Sequence, residues 1–426
     1  MTEVADRSQI ADIDLAPTGH QAIEWARQHS PVVDGYLRQR LSDGAIEGRR
    51  IAVVVHLEAK TALLATVLAD AGAYVVAAGS NPFSTRDDVA AALVDRGIEV
   101  HSTRESGYPA WEKHLLAVAD TGPELIIDDG AELTLRMATH RPELFAKLAG
   151  VTEQTTTGVQ RVQRLADQGR LPFPAMAANT ASCKHLFDNR YGTGQSTIQA
   201  MLDLTNMLLA GKRVAVVGYG WVGRGIATYV RAMGGTPVVV EVDPIKALEA
   251  YMDGAVVATV EDAFPQADFI ITCTGGMRAV TARHIPLLKN GAILANAGHH
   301  DLEVDVKALA AAAEELSIVR AGIERFHYAD KHVDVLANGA LVNIAGGLGH
   351  PIEIMDLSFA VQGVGCHELA RGGYEPGVHV ISRELDAEIA AAKLAHHGIT
   401  LDALREDQLD EAEGLADDRN DGPKTS

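Results

Sequence analysis

VAVVGYGWVGRGIATYVRAMGGTPVVVEVD, residues Val214 to Asp243, is the stretch that decides the fold. Val214 to Val217 is an apolar run without helical period that stops at a glycine, the pattern of a strand buried in a parallel sheet. Gly218, Gly220 and Gly223 follow as G-x-G-x-x-G, with Trp221 and Val222 completing the motif, and open an apolar-periodic helix. A second apolar run, Pro237 to Val240, ends at Glu241. Gly218 permits a tight turn, Gly220 lets the backbone approach a pyrophosphate, and Gly223 lets the helix pack close to the strand. The helix N-terminus receives the anion. Glu241 can accept hydrogen bonds from the adenosine-ribose hydroxyls of NAD, and its charge would repel the 2′-phosphate of NADP. The bland reading, a glycine-rich turn with no ligand, leaves the strand–turn–helix–strand–acid order unexplained.

The remaining composition sets bounds. A chain of 426 residues, 47% hydrophobic, is long enough for two domains with full cores. No apolar run is long enough to span a bilayer, and the acidic start MTEVADRSQIADIDL is unlike a secretory signal. Cys183, Cys273 and Cys366 give no disulfide framework, so a reducing cytoplasm is expected. A net charge of −20 argues against nucleic acid or anionic membrane as partner. No metal site is expected.

Taken in order, the chain shows a second α/β pattern before the first stretch. Short amphipathic helices are expected at Ala22–Gln28 and Val32–Leu41. Strand-like runs then alternate with helical ones: IAVVVH, AYVVAAG, IEVHS and ELIIDDG, separated by Thr61–Ala71, Asp87–Arg96 and Pro109–Ala119. Such alternation predicts a parallel, doubly wound sheet, whose ligands sit beyond the carboxyl ends of its strands. That rule selects His56, Asn81 and Asp128–Asp129. Each alone reads as a turn or cap, and their convergence on one edge favours a site. Thr155, Thr156 and Thr157 either cap the helix that follows or present hydroxyls to a ligand. Lys184 and Asp188, at i, i+4, share a helical face. They are either a surface ion pair or a pair at the cleft between two domains. In the later half, strand DFIITCTG and strand AILANAG bring Gly275, Ala297, Gly298 and His299 to the cofactor edge, and ALVNIAGGLGHP brings Asn343 and His350. Met355 and Phe359 lie on one face of the next helix, where spacing alone reads as core. The segment from Leu385 is helical and then acidic, and no site is expected in it. The fold class is α/β with two doubly wound domains: an N-terminal substrate domain (1–185, completed by 350–384) and an inserted Rossmann NAD domain (186–349), followed by a C-terminal helix and acidic tail (385–426).

These stretches carry a resemblance. ADIDLAPTGHQAIEWARQHSPV, SNPFSTRDDVAAAL, IIDDGAELT, EQTTTGV, KHLFDNRYGTGQS, GYGWVGRGIA, VEVDPIKALEA, NAGHHDLEVDV and LVNIAGGLGHPIEIMDLSF together resemble the S-adenosylhomocysteine hydrolase family over nearly the whole chain, in family order. RYGTGQS and GHPIEIMDLSF resemble its shorter, thermophile- and archaeal-type branch. The ending DGPKTS lacks the lysine- and tyrosine-bearing tail that long-branch members extend to a neighbour's NAD. The resemblance implies a homotetramer and a redox-assisted elimination. Bound NAD oxidises the 3′-hydroxyl of the nucleoside, the ketone acidifies the 4′-proton, homocysteine leaves from C5′, water adds, and the hydride returns. It also implies residue roles. Lys184 is the base at the 3′-hydroxyl, with Asp188 orienting the ribose and Asn189 supporting it. Asp129 handles a ribose proton, and His56 and His299 assist at C5′. Thr155, Thr156, Thr157 and Asn343 hold the cofactor, Asn343 sharing with His350 a place between cofactor and substrate.

The departures bear on activity and substrate. Gln154 stands where the family has a second glutamate, and Thr180 where it has aspartate. Where long-branch members read adenine with His-Met-Thr-x-Glu-Thr, this chain has His56-Leu57-Glu58-Ala59-Lys60-Thr61. Lys60 can only donate, and an ionised Glu58 can only accept. Hypoxanthine presents an acceptor at O6 and a donor at N1, so the pair suits it, and it can also serve adenine if the base shifts. The two can instead pair with each other at the rim and read nothing. Two functions therefore stand: a hydrolase of S-adenosyl- or S-inosylhomocysteine, or a diverged paralogue that acts on another nucleoside or binds NAD and nucleoside without turnover.

Overall fold

The computed structural model describes residues 2–104, 106–298 and 302–403. One sheet contains β1 (Arg50–Val55), β2 (Tyr74–Gly79), β3 (Glu99–Val100), β4 (Leu125–Asp128), β5 (Gly150–Glu153) and β6 (Pro174–Ala177). A second contains β7 (Arg213–Val217), β8 (Thr236–Val240), β9 (Val256–Val257), β10 (Phe269–Thr272), β11 (Ala292–Asn296), β12 (Glu315–Arg320), β13 (Ile323–Tyr328) and β14 (Lys331–Leu336). The last strand, β15 (Gly377–Val380), returns to the first sheet and pairs with β6.

The two sheets share one plan. The first runs β3-β2-β1-β4-β5-β6-β15, all parallel. The second runs β9-β8-β7-β10-β11-β14, also parallel, before β13 and β12 add an antiparallel edge. In both, strand order reverses between the first and fourth strands. That reversal opens a crevice at the carboxyl ends, where ligands of such sheets bind. The strands read as unbroken apolar runs because both faces are covered. Ile51, Val53 and Val55 of β1 enter one core while Ala52 and Val54 enter the other. Val214 and Val216 of β7 do the same against Ala215 and Val217.

The helices between strands lie close to their expected places, with Ala59–Asp70, Asp87–Asp95 and Gly107–Asp120 each shifted by a residue or two. Several elements differ from expectation. The first long helix begins at Ala16, aided by Pro17 in its first turn. Strands β5, β6 and β15 and the β12–β14 meander are additional. Val342–Ala345 is a helical turn instead of a strand end. The acidic stretch expected after residue 403 lies outside the described residues. No described helix is long and apolar enough to cross a membrane.

One continuous helical path joins the sheets: Ser182–Lys184, a π-helical stretch His185–Gly192, and Thr193–Thr205. It packs on the glycine-motif helix Trp221–Ala232 through two glycines. A Cβ on Gly225 would stand 1.9 Å from the Arg190 carbonyl oxygen, and one on Gly194 would stand 2.7 Å from the Gly225 carbonyl carbon. Backbone cannot yield as a side chain can. Gly225→Ala should therefore lower unfolding free energy by about 3 kcal/mol, the upper end for overpacking, as read from the urea midpoint. An unchanged midpoint would show that the two helices part without cost.

Candidate active site

The crevice of the first sheet lies between the ends of β1 and β4, which present His56 and Asp129. His56 Nε2 stands 3.5 Å from Asp129 Oδ2. Its Nδ1 is 2.7 Å from Ser84 Oγ, and Ser80 Oγ donates to Asp129 Oδ2 at 3.0 Å. Asp128 turns the other way. It is fully buried and accepts from Asp129, Leu133 and Thr134 backbone N–H groups and from the Thr134 hydroxyl. Burial pushes its carboxyl up to about 6 against those bonds. Beside it on β5, Glu153 accepts from the N–H groups of Gly130, Ala131 and Thr155. Burial, then the nearby Asp128 and Asp129 charges, raises its carboxyl. These two carboxylates fix the turn that aims Asp129, including left-handed Gly130 and Ala131. Asn81 makes a local turn, accepting from Phe83 N, and does not join the site.

The helical path supplies the centre. Lys184 Nζ lies 3.0 Å from Asp188 Oδ1 and donates to Asn189 Oδ1 at 2.7 Å. A π-helical turn bonds i to i+5, and the wider turn brings both the fourth and the fifth residue under the lysine. Asp188 also accepts from Ser358 Oγ at 2.7 Å and from Gln154 Nε2 at 3.4 Å, and His350 Nδ1 lies 3.4 Å away. Burial works against the Asp188 charge. The Lys184 ammonium, His350 and the Ser358 hydroxyl outweigh it and hold the carboxyl well below the usual range. The surface ion-pair reading of Lys184 and Asp188 is thereby excluded: their side chains are 4% and 1% exposed.

A cavity of about 510 Å³ unites these groups. His56, Glu58, Lys60, Asp129, Gln154, Thr155, Lys184, Asp188, His350, Met355 and Phe359 all line it. Two of its acceptors, Asp129 Oδ1 and Gln154 Oε1, are buried with no hydrogen-bond partner among the described residues, which suits a ligand rich in hydroxyl donors. Met355 and Phe359 serve both core and cavity. Lys60 and Glu58 pair at 2.9 Å, but inside the cavity and not at its rim, with Lys60 7% exposed. Lys60 Nζ also reaches the Leu348 carbonyl at 3.3 Å. Thr155 caps the helix Thr156–Asp167 and bonds Glu153. Thr156 donates to Asn179 Oδ1, and Thr157 is buried. Neither Thr156 nor Thr157 lines the cavity. His299 lies outside the described residues.

At the second crevice, Gly218 has φ 102°, and a Cβ there would press on the Cys273 carbonyl. A Cβ on Gly223 would stand 2.1 Å from the Gly218 carbonyl oxygen, whereas one on Gly220 would meet nothing within 4 Å. The motif is tight on two sides and open on the third, as a pyrophosphate cradle requires. Gly220 precedes Trp221 and Val222 at the helix start. Glu241 accepts from the N–H groups of Tyr219, Val242 and Asp243, so it also anchors the glycine loop. Ala297 and Gly298 follow β11, with Gly298 N donating to Asn296 Oδ1 and its Cα backed by the Glu303 carboxylate. Asn343 donates to Ser196 Oγ at 3.0 Å, while its buried side-chain Oδ1 has no hydrogen-bond partner among the described residues. These residues fit a dinucleotide.

Residues 7–143 match the family model described as S-adenosyl-L-homocysteine hydrolase, and residues 189–349 match the model of that hydrolase's NAD binding domain. The S-inosyl-L-homocysteine hydrolase of Methanopyrus kandleri is 45% identical over 404 residues, 94% of this chain and 95% of the relative. This chain belongs to the S-adenosyl-L-homocysteine hydrolase family. The adenosylhomocysteinase of Thermococcus kodakarensis is 45% identical over 402 residues, 94% of this chain and 96% of the relative. That of Nostoc sp. is 43% identical over 408 residues, 95% and 96%. The family's NAD-binding domain is thus the one built on Val214–Asp243.

Sequence reasoning missed Ser80, Ser84 and Ser358, which orient Asp129, His56 and Asp188. Ser358 had a usable signal, since it shares a helical face with Met355, Phe359 and Gln362. The serines after β2 had their place at a strand end and within the stretch SNPFSTRDDVAAAL that carries the family resemblance.

Breaking the buried pair should be costly. Asp188→Asn leaves Lys184 without a counter-charge and should destabilise the fold by ~3–5 kcal/mol at neutral pH. A carboxyl held low in the native state stabilises above its unfolded pKa of about 3.9, and that stability is lost as pH falls through its folded range. The gap between parent and Asp188→Asn should thus be full above about pH 5 and shrink below about pH 4. A gap independent of pH, measured by denaturant titration, would remove the charge from the explanation.

Proposed function

We propose that this chain catalyses the reversible, NAD-dependent hydrolysis of S-adenosyl- or S-inosyl-L-homocysteine to nucleoside and L-homocysteine. The observation that carries this is the buried Lys184–Asp188–Asn189 group facing Asp129 and His56 across one cavity. NAD, held by the Gly218–Gly223 turn and Glu241, supplies a hydride acceptor and donor for C3′. Lys184 as the neutral amine takes the proton of the 3′-hydroxyl, and Asp188 and Asn189 stabilise and orient the ammonium that forms. Asp129 handles the 4′-proton made acidic by the ketone. His56, and by resemblance His299, assist loss of the thiol and entry of water at C5′. Where the walls are apolar, as at Met355 and Phe359, they limit water around the ketone. Gln154 donates to Asp188 where the family glutamate would add a like charge, so the ribose contact is kept without that repulsion.

Relatives at equal identity are named for the adenosyl and the inosyl substrate, so identity does not choose the base. Lys60 offers its donor from the cavity wall with Glu58 beside it, and this arrangement matches hypoxanthine O6 and N1–H. We divide the chain as 1–185 with 350–384 for substrate, 186–349 for NAD, and 385–426 as the C-terminal segment. We place the enzyme in the cytoplasm as a homotetramer. The three buried free cysteines and the exposed apolar Val242, Ile245, Tyr251 and Met252 support these readings.

Two outcomes test the proposal. Lys184→Ala should keep its NAD yet lose turnover by roughly 10²–10⁴, the worth of a positioned base; near-parental turnover would remove Lys184 from the chemistry. The parent should hydrolyse S-inosylhomocysteine at least as well as S-adenosylhomocysteine, with Lys60→Glu shifting the ratio toward adenine by tenfold or more, roughly what a mismatched buried hydrogen bond costs. An adenine preference unchanged in that variant would show that Lys60 does not read the base.

A further inference from the structure

Lys184 stands in the first turn of its helix, where backbone N–H groups have no partner within the helix. The preceding residue, Ala181, offers no side-chain cap. The missing acceptor comes from the far end of the chain. Asp386 Oδ2 accepts from Ser182 N at 2.6 Å and Oδ1 from Cys183 N at 3.0 Å. The Asp386 carbonyl accepts from Cys183 Sγ at 3.2 Å. One residue thus grips two successive turn-forming N–H groups and the side chain next to Lys184.

Asp386 is itself held. It lies in the first turn of the helix Arg383–His396, which Ser382 caps. Farther along, Lys393 bonds Asp356 at 2.8 Å, Glu388 accepts from Tyr36 and Arg40, and Ile389 is fully buried. Asp356 in turn accepts from the N–H groups of Val32 and Val33. The grip therefore has a rigid backing on the substrate-domain core, and the segment from which no site was expected reaches to within two residues of the central lysine.

We infer that Asp386 is a positioning residue for oxidation at C3′: it caps, from the C-terminal helix, the helix that carries Lys184, Asp188 and Asn189, and so fixes the lysine between its two acceptors. This rests on Lys184 being the group at the 3′-hydroxyl. Asp386 touches neither substrate nor cofactor, so its removal acts on the rate of the oxidation and leaves nucleoside and NAD affinity in place.

The test uses full-length protein with its NAD and reads the rate at which added nucleoside reduces that NAD. Asp386→Ala should slow this step about tenfold, the loss that a mid-range helix cap represents, with KM for the nucleoside and NAD content within about twofold. Asp386→Asn keeps one of the two capping oxygens and should restore part of the rate. Glu388→Gln, on the same helix but bonded to Tyr36 and Arg40, should alter thermal stability more than the oxidation rate. Parental rates in Asp386→Ala would overturn the inference. So would a loss in which rate, NAD content and melting fall together and asparagine rescues none of them. Lys184→Ala run alongside separates the two levels: if it oxidises normally, the reading of Lys184 fails; if it is dead while Asp386→Ala is normal, only the positioning role fails.

Discussion

Lys184 and Asp188 meet at 3.0 Å with almost no exposure to water. Taking both charges out of water costs several kcal/mol each, and their attraction offsets this only where further hydrogen bonds complete the geometry. Much of the surrounding architecture does that. Asn189 serves the ammonium, while Ser358, Gln154 and His350 surround the carboxylate. These partners come from the helical path between the sheets, from the end of β5, from the segment just before the long helix Ile352–Arg371 and from that helix itself. The pair can form only when parts of the chain far apart in sequence have folded together. It is a poor choice for stability alone, and the proposed chemistry at C3′ would give a reason for keeping it.

The two sheets place this pair. Each has the same strand order and so the same crevice. In the first the crevice holds His56 and Asp129, in the second the glycine turn and Glu241. The helical path from Ser182 to Thr205 runs from one to the other, pressed by Gly194 and Gly225 against the helix that receives the cofactor. A ribose held by Lys184 and Asp188 would thus have His56 and Asp129 on one side and the NAD-binding domain on the other.

The local patterns in the sequence carried most of the fold. Long apolar runs gave β1, β2, β4, β7, β8, β10 and β11, and the glycine motif with Glu241 marked the second sheet as the cofactor's. Strands β5, β6 and β15 were hidden because they are four residues each, rich in Gly, Pro, Ala or His, and take their form from parallel neighbours. The meander β12–β14 was masked by its mixed, half-exposed pattern. At the site, Lys184, Asp188 and Asp129 were legible through their strand or helix positions and the family resemblance. Geometry decided what spacing left open. Glu58 and Lys60 converge because Glu58 caps its helix in an extended conformation, which a simple i, i+2 rule does not foresee. Thr155 turned out to be a cap that also lines the cavity. The role of Asp386 was unreadable, since a trans cap from 200 residues away leaves no local signature.

The central claim is that the cavity oxidises a nucleoside at C3′ with the protein's own NAD. Absorbance in the reduced-nicotinamide region, followed after mixing the NAD-loaded protein with inosine or adenosine and, separately, with the 3′-deoxy analogue, tests it most directly. The account predicts a band that rises with a nucleoside bearing the 3′-hydroxyl and stays flat with the analogue, although both bind. Thioether hydrolysis at full rate with no reduced nicotinamide formed, or an equal band from the 3′-deoxy analogue, would contradict it.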